Sequence, residues 1–174
     1  MFNPLETVKT IAQFRSSPSS AMRALWGVLK SVPGGGRVMG EAVGRMAPYS
    51  GTIHPEILEL EPGRSRVRMS DTPKVRNHLR SVHAIALMNL GEVSTGTGVL
   101  VSIPDDARAI IVELRMEYLK KARGPITADC NFVVPENLGK EKQELQVQAD
   151  LTDAEGSIVA RAHAKWLVSP PRRD

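Results

Sequence analysis

Hydrophobic residues recur along this chain with two different periods, and the change falls near residue 50. Before it, Phe2, Leu5, Val8, Ile11, Ala12 and Phe14 repeat at helical spacing, with Pro4 suited to a first turn. Ser16-Ser17-Pro18-Ser19-Ser20 interrupts the pattern. It resumes over about 21–30 with Met22, Leu25, Trp26 and Leu29, and Pro33-Gly34-Gly35-Gly36 stops it again. A third short helix is predicted over roughly 38–46, ahead of Pro48-Tyr49-Ser50-Gly51. Residues 1–47 therefore read as a helical N-terminal extension, either a packed cap or a dimer contact. The alternative is an amphipathic segment lying on a membrane, with Lys9, Arg15, Arg23 and Lys30 toward anionic lipid.

From residue 52 the period is two. Residues 52–60 and 64–70 read as strands joined at Glu61-Pro62-Gly63, and Val67 and Met69 alternate with Arg66 and Arg68 to give one buried and one wet face. Residues 82–99 have helical composition and are apolar on nearly every side, so this helix must be enclosed. Ser81 is its expected N-cap. Alternation then returns in three more stretches, around 110–119, 126–132 and 145–149, and in a last strand along Ile158, Ala160, Ala162, Ala164, Trp166 and Val168. Asp153-Ala154-Glu155-Gly156 is a hairpin loop and residues 169–174 a frayed tail. The order, two strands, one buried helix and four strands, predicts an α+β domain over residues 48–168. One antiparallel sheet of about six strands wraps the helix, leaving a sheet face or edge for a partner.

Composition narrows the chemistry. With 41% apolar and 24% charged residues the chain is an ordinary globular one, and no run of uncharged apolar residues is long enough to span a bilayer. One cysteine, Cys130, permits no internal disulfide and fits a reducing, cytoplasmic setting; Glu6, Lys9 and Arg15 break up any signal-peptide core. His54, His78, His83 and His163 lack metal-ligand spacing, so neither metal nor cofactor is signalled. The net charge of +4 suits an anionic ligand, and seven aromatic residues with no interleaved basic run give no nucleic-acid platform.

Two motifs carry a resemblance. Asn77-His78-Leu79-Arg80-Ser81-Val82-His83-Ala84, ending in Leu90-Gly91-Glu92, resembles the phenylacetate-type acyl-CoA thioesterase pattern of the hotdog fold. There an Asn precedes a His-Gly-Gly by six residues and a helix acid follows that His by nine. Tyr118-Leu119-Lys120-Lys121-Ala122-Arg123-Gly124 resembles the family's basic strand corner, and Pro48-Tyr49-Ser50-Gly51-Thr52-Ile53 is similar to a DUF4442-type branch of thioesterase-like hotdog proteins. Here His83 is followed by Ala84-Ile85 instead of Gly-Gly, the acid is Glu92, one methylene longer than Asp, and Asn89 and Gly91 stand where apolar or small residues are usual.

The resemblance implies acyl-thioester hydrolysis at the interface of a homodimer or dimer of dimers. Glu92, on a buried helix, is the expected water-activating carboxylate, its pKa raised by desolvation. The Ala84 N–H in the first turn is the expected oxyanion donor. Asn77 and His83 of one subunit would face Glu92 of the other. His78 and Asn89 are candidate substrate contacts, and Lys120, Lys121 and Arg123 candidate partners for CoA phosphates. Each also has a plain structural reading: a turn for Asn77, a satisfied ring for His83, a solvated corner for the basic cluster. A non-catalytic acyl or acyl-CoA binding protein with this fold is the alternative function.

Overall fold

The computed structural model describes residues 17–171; the helix expected over residues 2–14 lies outside them. Two N-terminal helices, α1 (Pro18–Leu29) and α2 (Gly35–Met46), lead through a 3-10 turn at Ser50–Ile53 into β1 (Glu56–Glu61) and β2 (Arg64–Met69). The long helix α3 (Ala84–Ser102) follows, then β3 (Arg108–Tyr118), β4 (Ile126–Asn131), β5 (Gln143–Thr152) and β6 (Ile158–Ser169). All six strands join one antiparallel sheet in the order β1-β2-β4-β5-β6-β3. The element order and the enclosed helix are those the periodicities predict.

Of the boundaries that differ from expectation, three have a local cause. Helix α1 begins at Pro18 inside the Ser/Pro run, because proline is tolerated in a first turn, where its missing N–H has no partner to lose. Helix α2 begins at Gly35, just after Gly34 at φ 78°, so the glycine run starts a helix as well as ending one. Thr52 and Ile53 belong to the 3-10 turn, and the strand starts at Glu56.

What lets the sheet close on α3 is a match of small residues. A side chain on Gly91 would begin 2.5 Å from the Ala162 Cβ, and the inward face of β6 there carries Ala160, Ala162 and Ala164, all buried. The buried threonines of α3 bond back to their own helix, Thr95 Oγ1 donating to the Gly91 carbonyl (3.0 Å) and Thr97 Oγ1 to Val93 (2.8 Å), whereas Ser94 Oγ reaches across to Ser65 Oγ (3.1 Å). By length and composition α3 would pass for a membrane-crossing helix, contrary to the sequence expectation, but the domain buries most of it.

The extension is packed onto this domain. Arg23 of α1 donates to the carbonyls of Val101 and Ile103, both at 2.9 Å, and pairs with Asp105. A guanidinium on the last carbonyls of α3 caps them and complements the helix dipole, so Arg23 is not turned toward lipid. Helix α2 lies along β1, whose outer edge no strand covers. Gly36 and Gly40 make that approach possible: a Cβ would stand 2.2 Å from the Ile57 carbonyl oxygen and 1.6 Å from that of Pro55.

Gly40→Ala should therefore push α2 off β1 and cost about 1–3 kcal/mol, read as a lower Tm. Gly27→Ala, with nothing within 4 Å of its Cβ, should instead stabilise α1 by about 0.5–1 kcal/mol. Equal effects from the two would contradict this packing.

Candidate active site

Glu92 lies midway along α3, and among the described residues one partner reaches it: Ser50 Oγ, in the 3-10 turn, donates to Oε2 at 3.2 Å. Burial pushes the carboxyl above the usual carboxylate range, the Ser50 hydrogen bond only partly opposes this, and no charged side chain contributes. The carboxyl and an indole share one small space. Glu92 Oε1 lies 3.7 Å, and Trp166 Cη2 3.0 Å, from the point where a Gly96 side chain would begin. One turn before Glu92, Asn89 Nδ2 donates to the Tyr49 carbonyl (3.1 Å) and to Thr52 Oγ1 (3.4 Å). The segment 49–52 is thus a strap pinned over the face of α3 that carries the acid.

The other candidates gather at the opening turn of α3. Asn77 Oδ1 accepts from Leu79 N (2.9 Å), Ser81 Oγ (3.1 Å) and Ser81 N (3.3 Å), closing a tight turn in which Arg80 takes φ 56°. This is the structural reading of Asn77. It also corrects the capping expectation: Ser81 spends its hydroxyl on Asn77, and His83 is the N-cap, its Nδ1 accepting from Ile85 N at 3.1 Å. The Ala84 N–H, one residue into the helix, has no partner among the described residues. The Tyr118 hydroxyl donates to the Ala84 carbonyl at 3.0 Å. Val82 N donates to the Ala122 carbonyl (2.9 Å), which joins this turn to the basic corner. Asp71 braces the same junction, accepting from Gly124 N (2.9 Å) and Arg76 Nε (2.6 Å) and held below the usual range by the Arg76 guanidinium. Lys120 is turned to Asp153 and Ser157, whereas Lys121, Arg123 and His78 are exposed.

The structure therefore brings Asn77, His78, His83, Ala84, Lys120, Lys121 and Arg123 to one end of α3, and Asn89 and Glu92 to its middle. Nine residues of helix separate His83 from Glu92, about 13 Å along the axis. Ser50, Tyr49 and Tyr118 were not assigned roles from sequence. The Tyr-Ser-Gly-Thr cluster ahead of β1 was visible, but nothing local linked Ser50 to an acid 42 positions on. Cys130 is no alternative nucleophile: it is wholly buried and its thiol is pushed up to about 12.

A curled antiparallel sheet around one long helix is the hotdog fold, which solved thioesterases share. The profile of a domain of unknown function, DUF4442, matches residues 35–168, and the chain belongs to that family. A structural-genomics protein of solved structure is 30% identical over 86% of this chain and 98% of its own, with a TM-score of 0.72. A Pseudomonas aeruginosa protein of unknown function, a probable thioesterase, is 26% identical over 76% of this chain and 92% of its own (TM-score 0.66). A variant of a phenylacetic acid degradation protein from Thermus thermophilus, 16% identical over 69% of this chain and 97% of its own, shares the fold at a TM-score of 0.59. No curated protein matches the chain.

The raised carboxyl makes a prediction about stability. A group that holds its proton more tightly when folded contributes stability that is full below its unfolded pKa and is lost as pH rises through the folded value. Glu92→Gln, neutral throughout, should therefore gain on the wild type in denaturant melts as pH climbs from about 4.5 toward neutrality. A difference between the two proteins that stays constant from about pH 4 to 8 would contradict the desolvation.

Proposed function

We propose that this protein hydrolyses an acyl thioester, with Glu92 as general base. The observation that carries the reading is a carboxyl group mostly withdrawn from water, with no basic partner among the described residues, held only by Ser50. Such a group has its affinity for protons moved toward the operating pH, where a general base is most effective. In the proposed step the water oxygen bonds to the thioester carbonyl carbon as Glu92 removes a water proton. The electron pair of the carbonyl moves to its oxygen, then returns as the C–S bond breaks, and the proton passes from Glu92 to the departing sulfur. A free acid and a thiol result. The unpartnered Ala84 N–H, at the positive end of α3, suits the transient oxyanion.

Because that N–H and Glu92 of one chain lie about 12 Å apart along the axis of α3, a second copy must supply one of them. The edge of β3 supports a homodimer: among the described residues this 11-residue strand pairs only with β6, and Ile110 (62%), Val112 (49%) and Tyr118 (48%) are exposed along it. Lys121 and Arg123, beside the opening turn, are then placed for the phosphates of CoA, and a cytoplasmic acyl-CoA is the proposed substrate. One observation favours the binding-only reading: all of the bonds seen to Asn77 Oδ1 lie within its own turn, so Asn77 is committed elsewhere than the thioester.

Across a panel of acyl-CoAs, thiol release should be measurable, and Glu92→Gln should lower kcat about a hundredfold or more with little change in KM. Unchanged kcat would remove Glu92 from the mechanism. Acyl-CoA that raises Tm without any thiol release would establish the binding-only reading instead. The double variant Ile110→Lys/Val112→Lys should shift the light-scattering mass toward the monomer and abolish turnover; a wild type that is already monomeric would overturn the shared site.

A further inference from the structure

We propose that Arg80 selects the thioester by its carrier, its guanidinium binding a phosphate of acyl-CoA beside the opening turn of α3. This rests on the acyl-CoA reading above and adds a residue to it.

Arg80 takes φ 56°, in the left-handed region that a side chain as large as arginine rarely adopts. The turn that imposes it is closed by Asn77 and the backbone. The Arg80 N–H donates to the Asn77 carbonyl (3.1 Å), and Asn77 Oδ1 accepts from the N–H groups on either side, those of Leu79 and Ser81. The Arg80 side chain takes no part: it is exposed, with no hydrogen-bond or ion-pair partner among the described residues. Glycine or asparagine would adopt this conformation with less strain. An arginine kept there against that strain is physically sensible where its charge is used.

Two neighbours are in the same condition. The bond from Val82 N to the Ala122 carbonyl (2.9 Å) ties this turn to the basic corner, where Lys121 and Arg123 are also exposed and without an acidic partner among the described residues. The acids that reach the junction are engaged elsewhere, Asp71 by Arg76 (2.6 Å) and Asp153 by Lys120 (3.4 Å). By contrast, every arginine on β2 and β6 faces a carboxylate. Three open cations thus stand at the positive end of α3. A guanidinium can meet two phosphate oxygens at once, and one carried on a rigid turn loses little freedom in doing so. Four residues lead from Arg80 to Ala84, at most about 14 Å of extended chain, so one acyl-CoA can rest its carbonyl on the Ala84 N–H and a phosphate on Arg80.

Arg80→Gly removes the guanidinium and relieves the backbone, so the variant should fold, with Tm raised by about 1–4 °C. Against the acyl-CoA that the wild type hydrolyses fastest, its KM should rise about tenfold with kcat within about twofold. Against the pantetheine thioester of the same acyl group, which carries no phosphate, its KM should match the wild type, a split that a merely structural role would not produce. Lys140→Ala removes a charge at the far end of α3, where Gly139 lies against Pro104, and should leave both KM values in place. An unchanged KM for acyl-CoA in Arg80→Gly, or equal rises for both thioesters, would overturn the proposal and leave the hydrolase standing. Where the wild type releases no thiol, the hydrolase falls and calorimetry decides this site: CoA should bind the wild type about tenfold more tightly than Arg80→Gly, and equal affinities would overturn it.

Discussion

Glu92 projects from a helix whose other inward positions carry mostly apolar side chains, glycines and small hydroxyls, with Asn89 the one buried amide among them. A carboxyl in such surroundings destabilises the folded protein whenever it is ionised. No basic side chain compensates for it among the described residues, and a single serine hydroxyl reaches it. Had stability alone shaped this position, an apolar residue would serve better. The cost is physically sensible only where the charge is used, and that constraint governs how the rest of the site reads.

The fold supplies the means to bury that group. The small side chains of β6 admit the backbone of α3 at Gly91, and Gly96 leaves the room in which Trp166 and Glu92 approach each other. Helix α2 performs the equivalent task at the far edge: glycines let it press on β1, and the chain leaving it enters the Ser50–Ile53 turn. The extension is therefore connected to the chemistry. It covers an exposed strand edge, caps the last turn of α3 through Arg23, and delivers Ser50 and the Tyr49 carbonyl to the middle of α3.

The parts legible in the sequence were those that a single period or spacing encodes. The enclosed helix and the alternation of β2, β4, β5 and β6 are local patterns and appear where expected, whereas a bulge between Ile111 and Glu113 breaks the alternation of β3 and leaves Ile110 and Val112 exposed. Less legible were features decided by long-range partners. Ser81 has the composition of an N-cap, but Asn77 claims its hydroxyl through a turn in which Arg80 takes a left-handed conformation. His83 then takes the cap with a ring nitrogen, a donor–acceptor geometry that composition does not reveal. Thr52 and Ile53 alternate like a strand yet coil into a turn, because their neighbours must bond Asn89 and Glu92. Ser50 escaped notice for the same reason, since its partner is remote in sequence.

The two clusters on α3 also explain one another. An opening turn with an unpartnered N–H attracts negative charge through the helix dipole, whereas a desolvated carboxyl farther along repels it. Placed on one substrate in one chain, they would be too far apart to act on the same bond. Under the proposed function, two copies placed head to tail would bring the N–H of one helix to the carboxyl of the other, so that a developing oxyanion would fall at the positive end and an attacking water at the basic one. The long strand β3, paired on one side only among the described residues, lies directly beside the opening turn through the Tyr118–Ala84 hydrogen bond. Pairing at that edge would therefore join the sheets and assemble the two half-sites in the same event, so that a competent site exists only where the water-excluding wall around it is complete.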